Sequence, residues 1–538
     1  MNEEAKLLIH GPEQIFKKIT NWFDTRRKLA FFTTFIICVI VHFTLYSKEL
    51  TNADGITNLV YYFDYEWEIS LGRWGLLLVD SLRNFLVIPI IITMISFVLM
   101  SFSSIILSDL LEIKEKSLIV LLSICLAVSP VFSYTLTYYY CSDGYSLAML
   151  LSILAVYIMY KKKHTFLSIP LIIATLSLYQ SYISVTTTLI VFIPILNIIK
   201  NTENTKNILQ KLWKNLLLLL LSIIVYYILL KVIAYIFNIS LTGYKGVSTA
   251  GLANTLQHIF TSLKKSYSSF YQFYFSDGIY NNTFFKRNYF YTFIFVLLLI
   301  IVLFNIIKNK IYKNKVNILL LILLVLIFPL STCFIQLIAT DTDIILLMSS
   351  SMILLLPFTL ALMQTLKIDN NFSILLKWLG IILCCIISYT YILSTNSFYI
   401  AMQTTYNQTY ATTLRIIDRI ETYPDYVEDM PILIFGIVDN NNFPRKSPYG
   451  NHTIYDVDSG YLDFDILFDD YFELQQTWRN YIYQFFGLNF NFVFDMETYI
   501  SISNSDEFKE MDTFPMQNSI KIINDVLVIK LTNDPKLP

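Results

Sequence analysis

The run FFTTFIICVIVHFTLY at residues 31–46 is followed by NADG at 52–55 and WEISLGRW at 67–74. The first run carries no Asp, Glu, Lys or Arg. With its apolar flank it approaches the ~20 residues that a helix needs to cross a bilayer. Immediately after it come Asp54, Asp64, Glu66, Glu68 and Arg73. Ionisable side chains are expensive in lipid, so a cluster at the mouth of a span asks for a functional explanation.

The remainder of the chain repeats the apolar run many times. Of 538 residues, 55% are hydrophobic and 15% are charged, whereas an ordinary soluble domain is nearer ~25% charged. Apolar blocks lie near 29–46, 86–108, 117–135, 144–160, 165–179, 182–199, 215–237, 289–307, 316–337, 344–365 and 375–394. They read as a polytopic α-helical membrane protein of about eleven transmembrane helices. Net charge is −1, so the total points to no charged partner such as nucleic acid; only the placement of the charges is informative. The abundance of Ile, Asn, Lys, Phe and Tyr suggests an AT-rich bacterial genome, hence a bacterial plasma (inner) membrane.

Lysines set the expected orientation. Alternate loops carry Lys114 and Lys116, Lys161 to Lys163, Lys200 to Lys214, Lys308 to Lys315, then Lys367 and Lys377. The intervening loops carry Asp54, Asp143, Asp341 and Asp343. The positive-inside rule then puts the N-terminus in the cytoplasm and the C-terminal part outside. The short pair 165–179 and 182–199, parted by Gln180 and Ser181, decides this parity.

Three regions follow. Residues 1–28 read as a cytoplasmic amphipathic segment lying in the interface. Residues 29–394 form the transmembrane domain. Residues 395–538 read as a small extracytoplasmic α/β domain, with a helix over 400–422, a strand at 431–435, a helix over 474–486 and a hairpin at 520–529 turning on Asn524-Asp525. Residues 75–85 predict a surface helix with Asp80 and Arg83 on its polar face. The aromatic stretch 270–275 suits the headgroup level. The six cysteines and five histidines form neither a disulfide framework nor a metal-ligand spacing. No cofactor is required, and a divalent metal is neither demanded nor forbidden.

The loop after the first span has the residue types for transfer of a sugar. A sugar hydroxyl is a poor nucleophile until a positioned carboxylate takes its proton. A departing phosphate needs a cation. Asp54 is the expected base, being nearest the membrane exit and followed by Gly55, with Asp64 as the alternative. Arg73 is the expected phosphate ligand. The plain alternative is a solvated acidic loop, with Arg73 snorkelling to lipid headgroups. Asp143 and the tyrosines before it, Tyr138 to Tyr140, read either as sugar contacts or as a helix cap with an interfacial belt. Gln180 faces a cavity or bonds a neighbouring helix. Lys245 is a further candidate for phosphate, and Trp478 reads as core.

The strings Asn52-Ala53-Asp54-Gly55 and Trp67 to Trp74 resemble the opening of the Gtr type II glucosyltransferases, polytopic enzymes of the GT-C class. The segments Tyr138 to Gly144 and Leu178 to Tyr182 are also similar to family segments. The resemblance spans roughly 25–395. It implies a GT-C-like fold and a polyprenyl-phosphate-linked hexose, glucose above all, as donor. It implies a cell-surface polysaccharide or teichoic-acid-type acceptor, inversion at the sugar, and Asp54 as base. Arg73, Asp64, Glu68 and Trp74 would meet the donor, with Tyr140, Asp143, Gln180 and Lys245 beside them. The competing reading is a transporter or flippase of lipid-linked saccharides. That reading predicts charges or breaks at mid-span and symmetry between halves, and neither is evident.

Overall fold

The computed structural model describes residues 11–244, 257–276, 286–340, 342–366, 370–436 and 471–532. Among these, eight helices are long and apolar enough to cross a membrane. Lys116–Thr135 and Gln180–Lys200 are the most enclosed, 83% and 94% buried, and form the centre of the bundle. Thr205–Phe237 and Arg287–Lys308 are only 22% and 28% buried, as befits helices whose outer faces meet lipid. Two shorter apolar helices, Thr165–Leu178 and Met352–Met363, complete the apolar set. The expected division near Gln180 is present: Ser168–Leu178 ends before a 3-10 turn at Gln180–Tyr182, and Ile183–Lys200 begins anew.

The first expected span is shorter than anticipated. Its helix, Thr25–Val41, stops at His42 and restarts as Phe43–Ser47. His42 is buried and satisfied on both nitrogens, Nδ1 lying 2.7 Å from the Tyr399 hydroxyl and Nε2 2.9 Å from the Ala127 carbonyl oxygen. A polar ring inside the bundle is tolerated because both ring nitrogens find partners.

The largest departure is at the other end. The span expected to end at 394 and the separate helix expected over 400–422 are one helix, Asn371–Glu421, of 51 residues. At 1.5 Å per residue it is about 75 Å long, far more than the ~30 Å hydrocarbon core. No proline interrupts it, and polar side chains beyond 394, such as Asn396 and Thr404, bond back to the preceding turn. Falling hydropathy marks the end of the lipid-facing part of the helix and leaves its backbone unbroken. We term this the stalk helix.

The sheet near the C-terminus has strands β1 (Ile432–Phe435), β2 (Ile520–Ile523) and β3 (Val526–Lys530) in the order β1-β3-β2. β1 runs parallel to β3 and β2 antiparallel to it. Asn524 and Asp525 have φ of 51° and 60°, as a type I′ hairpin turn requires. The helix Tyr471–Phe486 covers this sheet, with Trp478 and Ile482 in its core.

Two further expectations change. The aromatic stretch 270–275 lies in the helix Ile259–Phe275, where Phe273 and Tyr274 are buried in the bundle and Tyr274 donates to the Met352 carbonyl at 2.6 Å. The surface helix is Trp74–Ser81, but Asp80 and Arg83 are not on a solvated face. Asp80 is buried and Arg83 largely so.

Candidate active site at the membrane rim

The first span leads into a single helical turn, Ala53–Thr57, here the loop helix. Asn52 caps it, its Oδ1 accepting from the Gly55 N–H at 3.0 Å, as capping residues do. Thr51 Oγ1 and the Asn52 N–H both donate to the Thr137 carbonyl, at 2.8 and 3.2 Å. The Tyr139 hydroxyl donates to the Gly55 carbonyl at 3.3 Å. The loop helix is thereby fastened to the segment before Ser142–Lys161. Gly55 is required by close approach: a Cβ there would lie 1.6 Å from Thr51 Oγ1. Asp54 is half-buried and within electrostatic reach of Tyr140 and Tyr244. It lines neither the internal cavity beside Ser146 and Ser350 nor the polar one at the opposite rim.

The second half of the loop is a buried charge layer. Glu68 is 2% exposed; its Oε1 accepts from the Tyr62 hydroxyl, and its Oε2 has no partner. Burial raises its pKa, opposed by the Arg73 charge and the Tyr62 hydroxyl. Tyr62 in turn stacks edge-on to Tyr140 at 4.7 Å. Arg73 turns inward: its guanidinium carbon sits 4.7 Å above the Tyr179 ring, and Nη1 reaches the Tyr145 hydroxyl at 3.4 Å. Its Nε and the Trp74 Nε1 are buried without a hydrogen-bond partner. Among the described residues no carboxylate lies within ion-pair distance of Arg73. A cation held by aromatic faces and left short of acceptors is suited to an anionic ligand.

Arg73 stands at the N-cap of Trp74–Ser81 because the chain reverses at Gly72, with φ of +79°, a conformation natural to glycine. A Cβ at Gly72 would lie 2.5 Å from the Tyr226 hydroxyl and 2.8 Å from Gln180 Nε2. Gln180 donates to the Leu71 carbonyl at 2.6 Å and to the Tyr226 hydroxyl at 3.0 Å, and Tyr226 donates to the Gly72 carbonyl at 2.8 Å. Gln180 therefore clasps the turn that carries Arg73.

Arg83, expected on a polar surface face, is the hub of a largely buried ion triad. Its Nη2 lies 2.5 Å from Asp80 and its Nη1 2.6 Å from Asp143; Nη2 also donates to the Tyr140 carbonyl. Asp143 accepts in addition from the Gly144 N–H at 2.9 Å. Burial pushes Asp80 up to about 8 against the pull of Arg83, and repulsion from Asp143 adds to the rise. Asp64 is exposed and caps Tyr65–Ser70 by accepting from the Trp67 N–H at 2.9 Å. Lys245 lies outside the described residues.

The structure thus gathers Asp54, Glu68, Arg73, Trp74 and Tyr140 at one rim of the bundle. It gives Asp143 and Gln180 structural bonds there and leaves Asp64 facing solvent. Sequence reading missed Tyr62, Tyr145, Tyr179, Tyr226 and the burial of Asp80 and Arg83. The signal for the last pair was present: opposite charges at i and i+3 in an otherwise apolar segment are a pair that can be buried together. Among the described residues no group of three or more His, Cys, Asp and Glu is placed to hold a metal ion.

The described residues form a polytopic helical membrane protein with a buried, partly unpaired charge layer at one rim. The family model for the glucosyl transferase GtrII matches residues 43–356, more than half of the chain, and the chain belongs to that family. The resemblance expected over 25–395 is met over that narrower range. No curated protein and no solved structure matches the chain. Family membership supports glucosyl transfer between a sugar donor and an acceptor, carried out by a membrane protein.

Proposed function

We propose that the chain transfers glucose from a polyprenyl-phosphate donor to a cell-surface polysaccharide or teichoic-acid-type acceptor on the outer face of a bacterial plasma membrane. The acceptor hydroxyl oxygen attacks the anomeric carbon. The bond from that carbon to the phosphate oxygen breaks, and its electron pair leaves with polyprenyl phosphate. Asp54 takes the hydroxyl proton, and attack from the face opposite the leaving group inverts the sugar. Arg73 stabilises the charge that develops on the phosphate, and Glu68, Trp74 and Tyr140 contact the donor.

The observation that carries this reading is the incomplete hydrogen bonding of Arg73 and Glu68 in a buried layer linked to Asp54 through Tyr62 and Tyr140. Such groups are costly to leave unsatisfied, and a sugar phosphate supplies both the acceptors and the hydroxyls they lack. A lipid-borne donor also fits the site's place at the end of the spans, since it reaches the site from the bilayer. Lysine placement supports the outer face.

The test is turnover of the lipid donor. Purified protein in detergent, given polyprenyl-phosphate glucose and a surface-glycan acceptor, is expected to release glucose from the lipid, whereas Asp54→Asn does not. Movement of intact lipid-linked sugar across a vesicle membrane without turnover would instead support the flippase reading.

A further inference from the structure

The C-terminal domain shares its hydrophobic interior with the membrane bundle. Two helices belong to both cores. The stalk helix places Phe398, Tyr399 and Met402 in the bundle core and Ile416, Ile417 and Ile420 in the domain core. The helix Tyr471–Phe486 places Trp478 and Ile482 in the domain core, but Tyr481 falls in the bundle core along with Leu50 and Ile56. The same helix packs directly on the loop helix that carries Asp54. Its end is fixed by aromatic contacts to the stalk: Tyr406 to Phe485 at 5.6 Å and Tyr410 stacked on Phe486 at 4.7 Å. Tyr481 itself lies 4.6 Å from Phe485.

The loop helix needs such a support. It has five residues, too few to be stable alone. From the bundle side it is held by Thr137 and Tyr139. From the other side its neighbour is Tyr471–Phe486. A domain joined through two shared helices moves with the bundle, unlike one on a flexible linker. The C-terminal domain is therefore built as the outer wall of the rim site.

We infer that Tyr481 is a positioning residue: it seats the C-terminal domain against the loop helix and thereby fixes the carboxylate of Asp54. The link from Tyr481 to the loop helix stands on packing alone, while its effect on turnover rests on the catalytic reading of Asp54.

The full-length protein tests both parts separately. Hydrogen exchange of residues 50–59 reads the packing, and exchange of β1 and β3 reads the integrity of the domain. In Tyr481→Ala, exchange at 50–59 is expected to quicken about tenfold or more while β1 and β3 stay protected. Turnover is expected to fall about tenfold to a hundredfold in kcat at unchanged donor KM, as for a misplaced catalytic group. Tyr481→Phe keeps the ring and is expected to restore both within about twofold. Should Tyr481→Ala unfold the domain, Phe485→Ala carries the same measurement from the neighbouring contact. Unchanged exchange at 50–59 with β1 and β3 intact overturns the inference. Quickened exchange with an active Asp54→Asn supports the packing role and overturns the catalytic one.

Discussion

The two rims of the bundle carry similar charges and use them differently. At the lysine-rich rim Glu112 accepts from Lys161 and Lys200, at 2.5 and 2.8 Å. Glu115 accepts from Lys377 at 2.6 Å, and Arg27 meets Asp109 at 2.8 Å. Each of these carboxylates has its cation, and Glu112 is half open to water. At the other rim Glu68 and Arg73 are buried, share a neighbourhood, and yet form no ion pair with each other. Their spare atoms are enclosed and unpaired. Paired charges in water hold helix ends together at little gain or cost. Buried groups with unused bonding capacity cost stability, and a fold retains them where a ligand completes them. The proposed function places the donor at the second rim, where two buried groups of opposite charge both keep unused bonding capacity.

The Arg83 triad is the exception on the binding rim, being closed upon itself, and it gives the largest expected stability effect. Arg83→Met would leave Asp80 and Asp143 buried without their cation. Breaking a buried pair in this way costs about 3–5 kcal/mol, read as a fall in melting temperature in detergent. If the fall is no larger than for a surface lysine, the triad is not the support inferred here. Arg73→Gln removes the cation meant for phosphate. It should lower kcat about a hundredfold while leaving the melting temperature within a few degrees of wild type, because among the described residues Arg73 has no ion-pair partner to lose. Gly55→Ala forces Thr51 off the Thr137 carbonyl. A cost of about 1–3 kcal/mol is expected, with a loss of turnover at temperatures where the protein is still folded.

The rims should also titrate in opposite directions. Asp80 has its folded pKa raised to about 8, above an unfolded value of ~3.9. Its contribution is present at low pH and is lost as pH rises through about 8. At Glu112 partial burial works against ionisation, but the hydrogen bonds from Lys161 and Lys200 win and hold it down at about 2. That contribution is present above ~4.3 and is lost as pH falls toward 2. Asp80→Asn is expected to flatten the decline in melting temperature that runs from about pH 4 up to about 8. Glu112→Gln is expected to flatten only the acid limb, and by no more than about 1 kcal/mol, since the group is half exposed and screened. A reversed pattern would mean that the binding rim is the solvated one.

Much of the fold was legible because lipid imposes a simple rule. A run of some twenty apolar residues must be helical, and Pro89–Leu110 and its successors obey it, while the run at 31–46 is helical but divided at His42. The interruption at Gln180 was legible as a polar break in an apolar run, and the turn at Asn524-Asp525 because I′ residues act locally. The continuity of the stalk helix was not, because polarity changes along it while its backbone geometry does not. For the site, proximity to the membrane exit and Gly55 pointed to Asp54, and WEISLGRW to Glu68 and Arg73. Tyr145, Tyr179 and Tyr226 were invisible as partners of that loop: they come from later helices, and nothing local in the sequence says which face of a buried helix meets which loop. The pairing of Asp80 with Arg83 was legible from their i, i+3 spacing, but their third member Asp143, 60 residues beyond Arg83, was hidden for the same reason.

The most direct test sets one carboxylate of each rim against the other in a single assay. Release of glucose from polyprenyl-phosphate glucose is measured for wild type, Asp54→Asn and Glu112→Gln, with donor binding measured in parallel. Asp54→Asn is expected to lose about a hundredfold or more in turnover with donor binding retained, and Glu112→Gln to keep both. Turnover by Asp54→Asn at the wild-type rate, or an equal loss in the two variants, would contradict the assignment of the acidic rim as the place where the proton is taken.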